Sequence, residues 1–338
     1  MGRETKGVSR TTHPLCILNF EKYNSLMPEL PEVQTTVDGL NRTVKGFTIK
    51  SVWSDLPKKG HIRKDEIKNL AFWNSFKERI LGAKILKTER HGKNIFIRLS
   101  NGYTILIHMK MTGHLLFGKW RAGKEEDGEA HHNWTWWPEK QTSLQDPYNR
   151  FIHFKIDFEN GKHLAFCDSR KFGKVTLVKT GDGTAKHVKD LGLDALDPRV
   201  SFETFKEKIL KKPSGRIKNV LMDQTLITGI GNIYSDEMLW IAGIHPEEKV
   251  RNIPEEKFKK MYTSMKPLLE KGIDFGGDSM SDYRNIYGEK GKFQNEHNVY
   301  GKRGDKCKKR NCDGVIIRKV VGGRSAHFCP VHQVLENN

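Results

Sequence analysis

The sequence predicts an α+β chain: a β-rich first half folded as a sandwich of sheets, a helical second half and a short basic tail held by a metal. Three observations predict it. Between Phe47 and Lys179 the apolar residues fall in short Ile- and Leu-rich runs separated by Asn-Gly turns, the pattern of strands and hairpins. From Ser201 the spacing lengthens, with Phe202, Phe205 and Ile209 on one helical face. Near the end, Cys307, Cys312, Cys329 and His332 stand as two close pairs, a metal-ligand spacing.

Residues 1–26 are polar without sustained periodicity, and read as a disordered extension or a mis-assigned start ahead of Met27. Pro31 suits the first turn of a helix whose inward face carries Val33, Val37 and Leu40. Strands are expected over Lys84–Arg90, Lys93–Leu99 and Tyr103–Met109, the last two joined by Asn101-Gly102. The polar, Trp-bearing stretch Lys119–Arg150 reads as a long surface loop. Phe151–Glu159 and Lys162–Asp168 form a hairpin across Asn160-Gly161, and Gly173–Lys179 adds a strand. These elements make a first domain over 27–180, followed by a linker over 181–200.

The helical domain, 201–298, opens at Ser201 as N-cap, with Pro213 beyond its first helix. Short helices follow over Ile217–Asp223 and Asn232–Ala242, the second entered through Gly229-Ile230-Gly231. Pro254 starts a further helix with Phe258, Met261, Met265 and Leu268 inward. Residues 278–298 read as a polar loop, and 299–335 as the metal-bearing tail. Between 300 and 324 the tail carries nine Lys and Arg against two Asp.

Length and composition narrow the function. At 338 residues the prior is about two domains. A net charge of +18 and a pI near 9.6 point to a polyanionic partner, most simply nucleic acid. With 36% hydrophobic and 30% charged residues the chain is globular. No apolar run approaches the ~18 residues of a membrane span, and Pro14 to Phe20 is too short for a secretory h-region. Five cysteines at uneven spacing indicate a reducing, cytoplasmic setting and a metal site rather than a disulfide framework.

Cys307-x4-Cys312 and Cys329-x2-His332, sixteen residues apart, supply four ligands for one tetrahedral Zn2+; with no open coordination position its role is structural. His327 fits less well as the fourth ligand. Cys16 and Cys167 read as ordinary thiols. Gly229-Ile230-Gly231-Asn232 leads into a helix N-terminus, where free N–H groups favour a phosphate; taken alone, a tight turn is the commoner explanation of the glycines, and the basic surface strengthens the phosphate reading. Asp168 to Gly173 places Arg170 and Phe172 in a loop after a strand. Such a pair can fill the gap left by an extruded base, or Phe172 can belong to the core. Met111 offers a second apolar wedge. Lys93 is either a phosphate or substrate contact or a solvated hairpin lysine.

Met27-Pro28-Glu29 carries the chemistry. Removal of Met27 leaves Pro28 as a secondary α-amine, titrating at about 7.7–8.0 against about 10.4 for lysine. Attack of such an amine on a sugar C1′ gives an iminium and splits base removal into two easier steps. Glu29 can protonate the ring oxygen and then act as base.

Taken together, Pro28 to Val33, the His91-Gly92-Lys93 hairpin, His108 to Gly113, Asp168 to Gly173, Ile217 to Pro246 and the Cys/His tail resemble the formamidopyrimidine-DNA glycosylase family, which also includes endonuclease VIII. The resemblance runs from Met27 to about His332. It implies an N-terminal β-sandwich, a helix–two-turn–helix DNA-binding unit and a zinc finger, with damaged double-stranded DNA in the cleft between. It implies Pro28 as Schiff-base nucleophile, Glu29 as proton donor, and Glu32 as a second carboxylate of the start motif. Lys93 becomes the catalytic-site lysine and Arg324 the zinc-finger arginine that grips phosphate and serves in elimination. Met111, Arg170 and Phe172 fill the void, Lys218 and Asn232 bind phosphate, and 278–298 caps the lesion. Leu30 favours the branch acting on 8-oxoguanine and formamidopyrimidines; the rivals are an oxidised-pyrimidine enzyme and a DNA-binding protein without chemistry. A monomer in the bacterial cytoplasm, associated with the nucleoid, is expected. The sequence departs from the family in its Cys3His tail, its longer 119–150 stretch and the residues before Met27.

Overall fold

The computed structural model describes residues 27–123, 135–140 and 142–336. The expected extension 1–26 and the middle of the 119–150 stretch lie outside them. In chain order the first part runs α1 (Leu30–Thr43), β1 (Ile49–Ser54), α2 (Leu70–Ile80), β2 (Ile85–His91), β3 (Asn94–Leu99), β4 (Tyr103–His108) and β5 (Gly113–Gly118). A small hairpin, β6 (Trp120–Ala122) and β7 (Trp136–Pro138), precedes β8 (Ile152–Phe158), β9 (His163–Asp168) and β10 (Lys174–Lys179).

Two four-stranded antiparallel sheets result, ordered β1-β8-β9-β5 and β10-β4-β3-β2. Their inner faces share one core: Ile95, Ile97, Ile105 and Ile107 from one sheet meet Phe154, Ile156, Leu164 and Phe166 from the other. This is the expected sandwich. Both Asn-Gly turns sit where expected, with Gly102 at φ 80° and Gly161 at φ 73°, left-handed values that suit glycine. Along α1, Val33, Val37 and Leu40 enter the same core.

Two segments differ from the sequence reading. Helix α2 stands where strands were expected; Asn69 caps it through Phe72 N–H, and Trp73, Phe76 and Ile80 bury one face. Its aromatic residues have high strand propensity, which disguises the helical spacing. The 119–150 stretch is more than a surface loop. It holds the β6–β7 hairpin and two 3-10 turns, Ser143–Gln145 and Pro147–Arg150, which bury Leu144 and Asn149.

The second part contains α3 (Asp182–Val188), β11 (Leu193–Asp194), α4 (Phe202–Leu210), α5 (Ile217–Leu221), β12 (Ile227–Thr228), α6 (Asn232–Ala242) and α7 (Glu255–Asp274). Ser201 caps α4 by accepting from Thr204 N–H, and Gly243 ends α6 in the left-handed region. Phe205, Ile209, Tyr234, Met238, Phe258, Met261 and Met265 form the second core. Leu30, the first residue of α1, also belongs to that core and donates its N–H to Gly229 O at 3.0 Å. Helix α1 therefore straddles both units. The tail forms β13 (Ile317–Val321) and β14 (Arg324–Phe328), an antiparallel hairpin with β14 against α6.

Residues 278–298 are not an exposed polar loop. Tyr283, Arg284, Ile286, Phe293 and His297 are buried. Arg284 makes two hydrogen bonds to the Asp146 carboxylate, at 3.0 and 3.1 Å, and Ile286 O accepts from Phe117 N–H. The segment reads as polar because its buried charged groups meet distant partners, Arg284 with Asp146 on the first unit and His297 with Asp278 nineteen residues away, which local sequence does not reveal. No helix among the described residues is long and apolar enough to cross a membrane.

Candidate active site

The two units meet along a cleft of about 390 Å³, within the ~300–1,000 Å³ of small-molecule sites. Met27, Glu29, Lys93, Met111 and Arg170 from the first unit and Gln224, Asn232 and Arg324 from the second are among the residues that line it. Segments distant in sequence thus converge on one cleft.

Glu29 precedes α1 and is 2% exposed. Its carboxylate sits on the N-terminus of α6, accepting from Ile233 N–H at 2.8 Å and Tyr234 N–H at 3.4 Å. The expected phosphate position at this helix end is therefore occupied from within. The same free N–H groups and helix dipole that favour a phosphate favour a docked carboxylate. Gly231 is required there: a Cβ would lie 2.6 Å from Glu29 Oε1 and 2.7 Å from Cγ. Burial drives the Glu29 carboxyl above its ordinary value, while Lys93 and the helix N–H groups pull the other way.

Lys93 leaves the β2–β3 turn and is 5% exposed, its ammonium donating to Ile230 O at 3.1 Å. Burial lowers its pKa, opposed by Glu29 and Glu32. It is thus not a solvated hairpin lysine. The turn is anchored across the junction. Gly92 N–H donates to Asp194 at 2.7 Å, and Arg90 makes a two-point bond to the same carboxylate at 2.6 and 2.9 Å. Against burial, Arg90 and these N–H groups hold Asp194 below its usual range. Gly92 is needed for its φ of 55° and because a side chain would strike Thr228.

Pro28 is buried beside Glu29, and its nitrogen is an amide while Met27 is attached. Glu32 reaches back to Glu29 N–H at 2.8 Å, the reciprocal half of a capping box. Burial pushes Glu32 up to about 8, reinforced by the Glu29 and Asp278 charges.

The Asp168–Gly173 loop is shaped by one carboxylate. Asp168 is buried and accepts from Gly173 N–H at 2.6 Å, Arg170 N–H at 3.3 Å and the Thr112 hydroxyl. The result exposes Phe172 by 50% and lays the Arg170 guanidinium 4.6 Å from its ring. Phe172 is therefore at a loop tip, not in the core.

Asn232 donates to Ser325 Oγ at 3.1 Å and Tyr300 Oη at 3.4 Å, while its Oδ1 is buried without a partner. Arg324 is exposed beside the Gly322-Gly323 turn. Lys218 differs from the expected phosphate contact. It is fully buried, donating to Asp236 Oδ1 at 2.5 Å, Ser235 Oγ at 3.3 Å and Asn232 O at 3.4 Å. An ammonium this enclosed needs a paired carboxylate, so it braces the start of α6. Among the described residues lining the cleft, none comes from 278–298.

In the tail, Cys307, Cys312, Cys329 and His332 bring their ligand atoms within 4.8 Å of one another. Cys312 Sγ is 3.5 Å from Cys329 Sγ, and Cys307 Sγ is 3.4 Å from His332 Nδ1. Ligands about 2.0–2.3 Å from one tetrahedral ion stand at about these separations. His332 Nε2 faces Trp240 O at 3.2 Å, which fixes its proton there and leaves Nδ1 free to ligate. His327 is elsewhere, paired with Asp236 at 3.3 Å. The four residues therefore suit a bound metal ion.

Sequence reasoning missed Arg90, Asp194 and the role of Gly231. Arg90 adjoins the recognised hairpin, but its partner is 104 residues away and carries no local signal.

Two family descriptions match the chain: the formamidopyrimidine-DNA glycosylase N-terminal domain over residues 27–175 and the formamidopyrimidine-DNA glycosylase H2TH domain over 191–284. The chain is 37% identical to a formamidopyrimidine-DNA glycosylase of Pelotomaculum thermopropionicum over 309 residues, covering 91% of this chain and 99% of the relative. It is 34% identical to that of Bacillus subtilis over 310 residues, 90% and 98% of the two chains. Among solved structures it is similar to Lactococcus lactis Fpg in complex with abasic-site DNA, with TM-score 0.73, 29% identity, and 90% and 99% coverage. It is equally similar to MutM in complex with DNA containing carbocyclic 8-oxo-G, with TM-score 0.73, 29% identity, and 91% and 100% coverage.

Proposed function

The chain belongs to the formamidopyrimidine-DNA glycosylase family, and on that footing we propose that it is a bifunctional DNA glycosylase and AP lyase of base excision repair. Its substrates are oxidised purines, 8-oxoguanine and formamidopyrimidines, in double-stranded DNA. One observation carries the reading: the Glu29 carboxylate is held at the cleft wall beside Pro28, with Lys93 buried alongside.

The working chain begins at Pro28 after removal of Met27, so its nitrogen is an amine. That nitrogen attacks C1′ of an extruded nucleotide, the base departs with the bonding pair, and loss of the amine proton leaves a cyclic aminal, which becomes the open-chain iminium when the C1′–O4′ bond breaks. Glu29, whose raised pKa favours the protonated form, gives its proton to the ring oxygen as the ring opens. As a carboxylate it then removes the acidified C2′ proton, and the 3′ phosphate leaves; a second elimination releases the 5′ side. Lys93 supplies positive charge to the phosphate or departing base. Met111, Arg170 and Phe172 fill the vacated stack. Asn232 and Arg324 hold backbone phosphates, with Lys218 bracing Asn232 from behind. Cys307, Cys312, Cys329 and His332 would hold one structural Zn2+, which would tie down the tail whose hairpin presents Arg324. We retain the division into 27–180, 201–298 and 299–335, and a monomer in the bacterial cytoplasm associated with the nucleoid.

Borohydride trapping tests the reading. Protein begun at Met27, incubated with an 8-oxoguanine duplex, forms a covalent adduct, whereas protein retaining residues 1–26 forms none. Absence of an adduct from the Met27 form refutes the catalytic reading. A lesion panel in which oxidised pyrimidines react faster refutes the purine preference.

A further inference from the structure

Beneath Glu29 lies a deeper row of ionisable groups to which the mechanism gives no task. Glu32 Oε2 accepts Glu29 N–H at 2.8 Å, and its Oε1 accepts Asp278 N–H at 2.8 Å and the Tyr234 hydroxyl at 3.2 Å. Asp278 is 4% exposed; its Oδ1 accepts Met280 N–H at 3.0 Å, and its Oδ2 lies 2.9 Å from His297 Nε2. Both atoms are buried and neither makes a hydrogen bond, so each has only the other close by. His297 is fully buried, with Nδ1 3.1 Å from Tyr300 O. A carbonyl only accepts, so Nδ1 carries a proton, while Nε2 faces Oδ2. Lys93, Glu29, Glu32, Asp278 and His297 thus form a buried chain, with a lysine at one end, an imidazole at the other and three carboxyl groups between.

We propose that Asp278 and His297 are positioning residues for the acid/base centre, holding Glu32, and through it the Glu29 backbone, in register with the Pro28 nitrogen. The inference rests on the role of Glu29 proposed above. The pair fixes the Asp278 peptide whose N–H binds Glu32. Without the His297 partner, a buried carboxylate has no counterpart for Oδ2 and the peptide is free to shift. Asp278 also sets charge: its anion is one of the influences that raise Glu32.

The surroundings are defined. Tyr234 and Tyr283 hydroxyls and the charges of Glu29 and Lys93 face Glu32. Around His297 stand the rings of Phe293 and Tyr300, and Lys308 binds its carbonyl. Glu237 holds the adjoining N–H groups of Asn298, Val299 and Tyr300.

The test uses protein begun at Met27 and single-turnover base excision on an 8-oxoguanine duplex across pH, for wild type, D278N, H297Q and H297L. Affinity for a tetrahydrofuran-site duplex and thermal melting are measured in parallel. H297L is expected to lower the single-turnover rate about ten- to a hundredfold, the scale of a small misplacement, with DNA affinity unchanged. H297Q retains a side-chain N–H and recovers most of the rate. In D278N a nearby anion is gone, Glu32 ionises more readily, and the alkaline limb moves to lower pH by roughly one unit. Folded D278N and H297Q with wild-type rates and limbs overturn the proposal, even where H297L fails to fold. An inactive wild type overturns both this inference and the function beneath it, whereas an active wild type with indifferent variants overturns this inference alone.

Discussion

Gly231→Ala is the sharpest probe of the Glu29 seat. The added Cβ would stand 2.6 Å from Glu29 Oε1 and closer still to Cδ, where ordinary contact begins at 3.4 Å. The clash is relieved by moving the carboxylate about 1 Å off the α6 N-terminus, stretching its bonds to Ile233 and Tyr234 N–H. Displacement of a reacting group by about 1 Å can reduce a rate about 100-fold, close to 3 kcal/mol at ~1.4 kcal/mol per tenfold. Weakening two charge-assisted hydrogen bonds also lowers stability by roughly 1–3 kcal/mol. Gly231 has φ −133°, so alanine introduces no backbone strain and the effect belongs to the contact. The assay is single-turnover excision of 8-oxoguanine, paired with affinity for a tetrahydrofuran-site duplex. The expected result is about 100-fold slower excision with binding preserved. A folded variant within threefold of wild type would show that Glu29 does not act from this seat.

Further outcomes follow from the same geometry. Glu32 is raised in the fold to about 8 from an ordinary 4.5, so the native state holds a proton that the unfolded chain releases. Stability is therefore full below the unfolded value and falls as pH rises toward 8, by a few kcal/mol. E32Q removes that slope, and denaturant midpoints at pH 5 and 8 that fall equally in both proteins refute it. Phe172→Ala trims a half-exposed ring, so stability changes by less than about 0.5 kcal/mol. Its excision rate falls roughly tenfold as the extruded state loses its filler, most visibly on the rigid, fully paired duplex. Chelation of the metal abolishes DNA retention in a gel-shift while the circular dichroism of the β-rich unit persists. H332C keeps metal and binding, whereas H332A loses both; an H332A protein with full zinc content refutes the ligand assignment.

Much of the fold was legible because its signals are short-range. Asn101-Gly102 and Asn160-Gly161 turn where their backbone freedom permits, and Ser201 and Gly243 bound helices through caps made within a few residues. The metal cluster was legible for the same reason, since each ligand pair lies within one turn of chain. Helix α2 escaped because Phe72, Trp73 and Phe76 satisfy strand propensity as well as helical spacing. The 278–298 segment escaped because Arg284 and His297 look solvated until Asp146 and Asp278 are seen beside them.

The sequence by itself singled out the residues proposed to carry the chemistry: a proline and glutamate at the start of α1, a lysine in a hairpin turn, an arginine and phenylalanine in one loop and four candidate metal ligands. Periodicity, turn chemistry and ligand spacing are properties of neighbouring residues, so they survive in one dimension. Tertiary structure alone decided how those groups are used. Glu29 takes the helix end that otherwise suits a phosphate, through a hydrogen bond spanning 204 residues. Lys218 becomes an internal brace because Asp236 meets it in a dry interior. Whether a charge faces water, a ligand or another charge depends on how separately folded surfaces dock, and the strength of each interaction depends on the solvent that docking excludes.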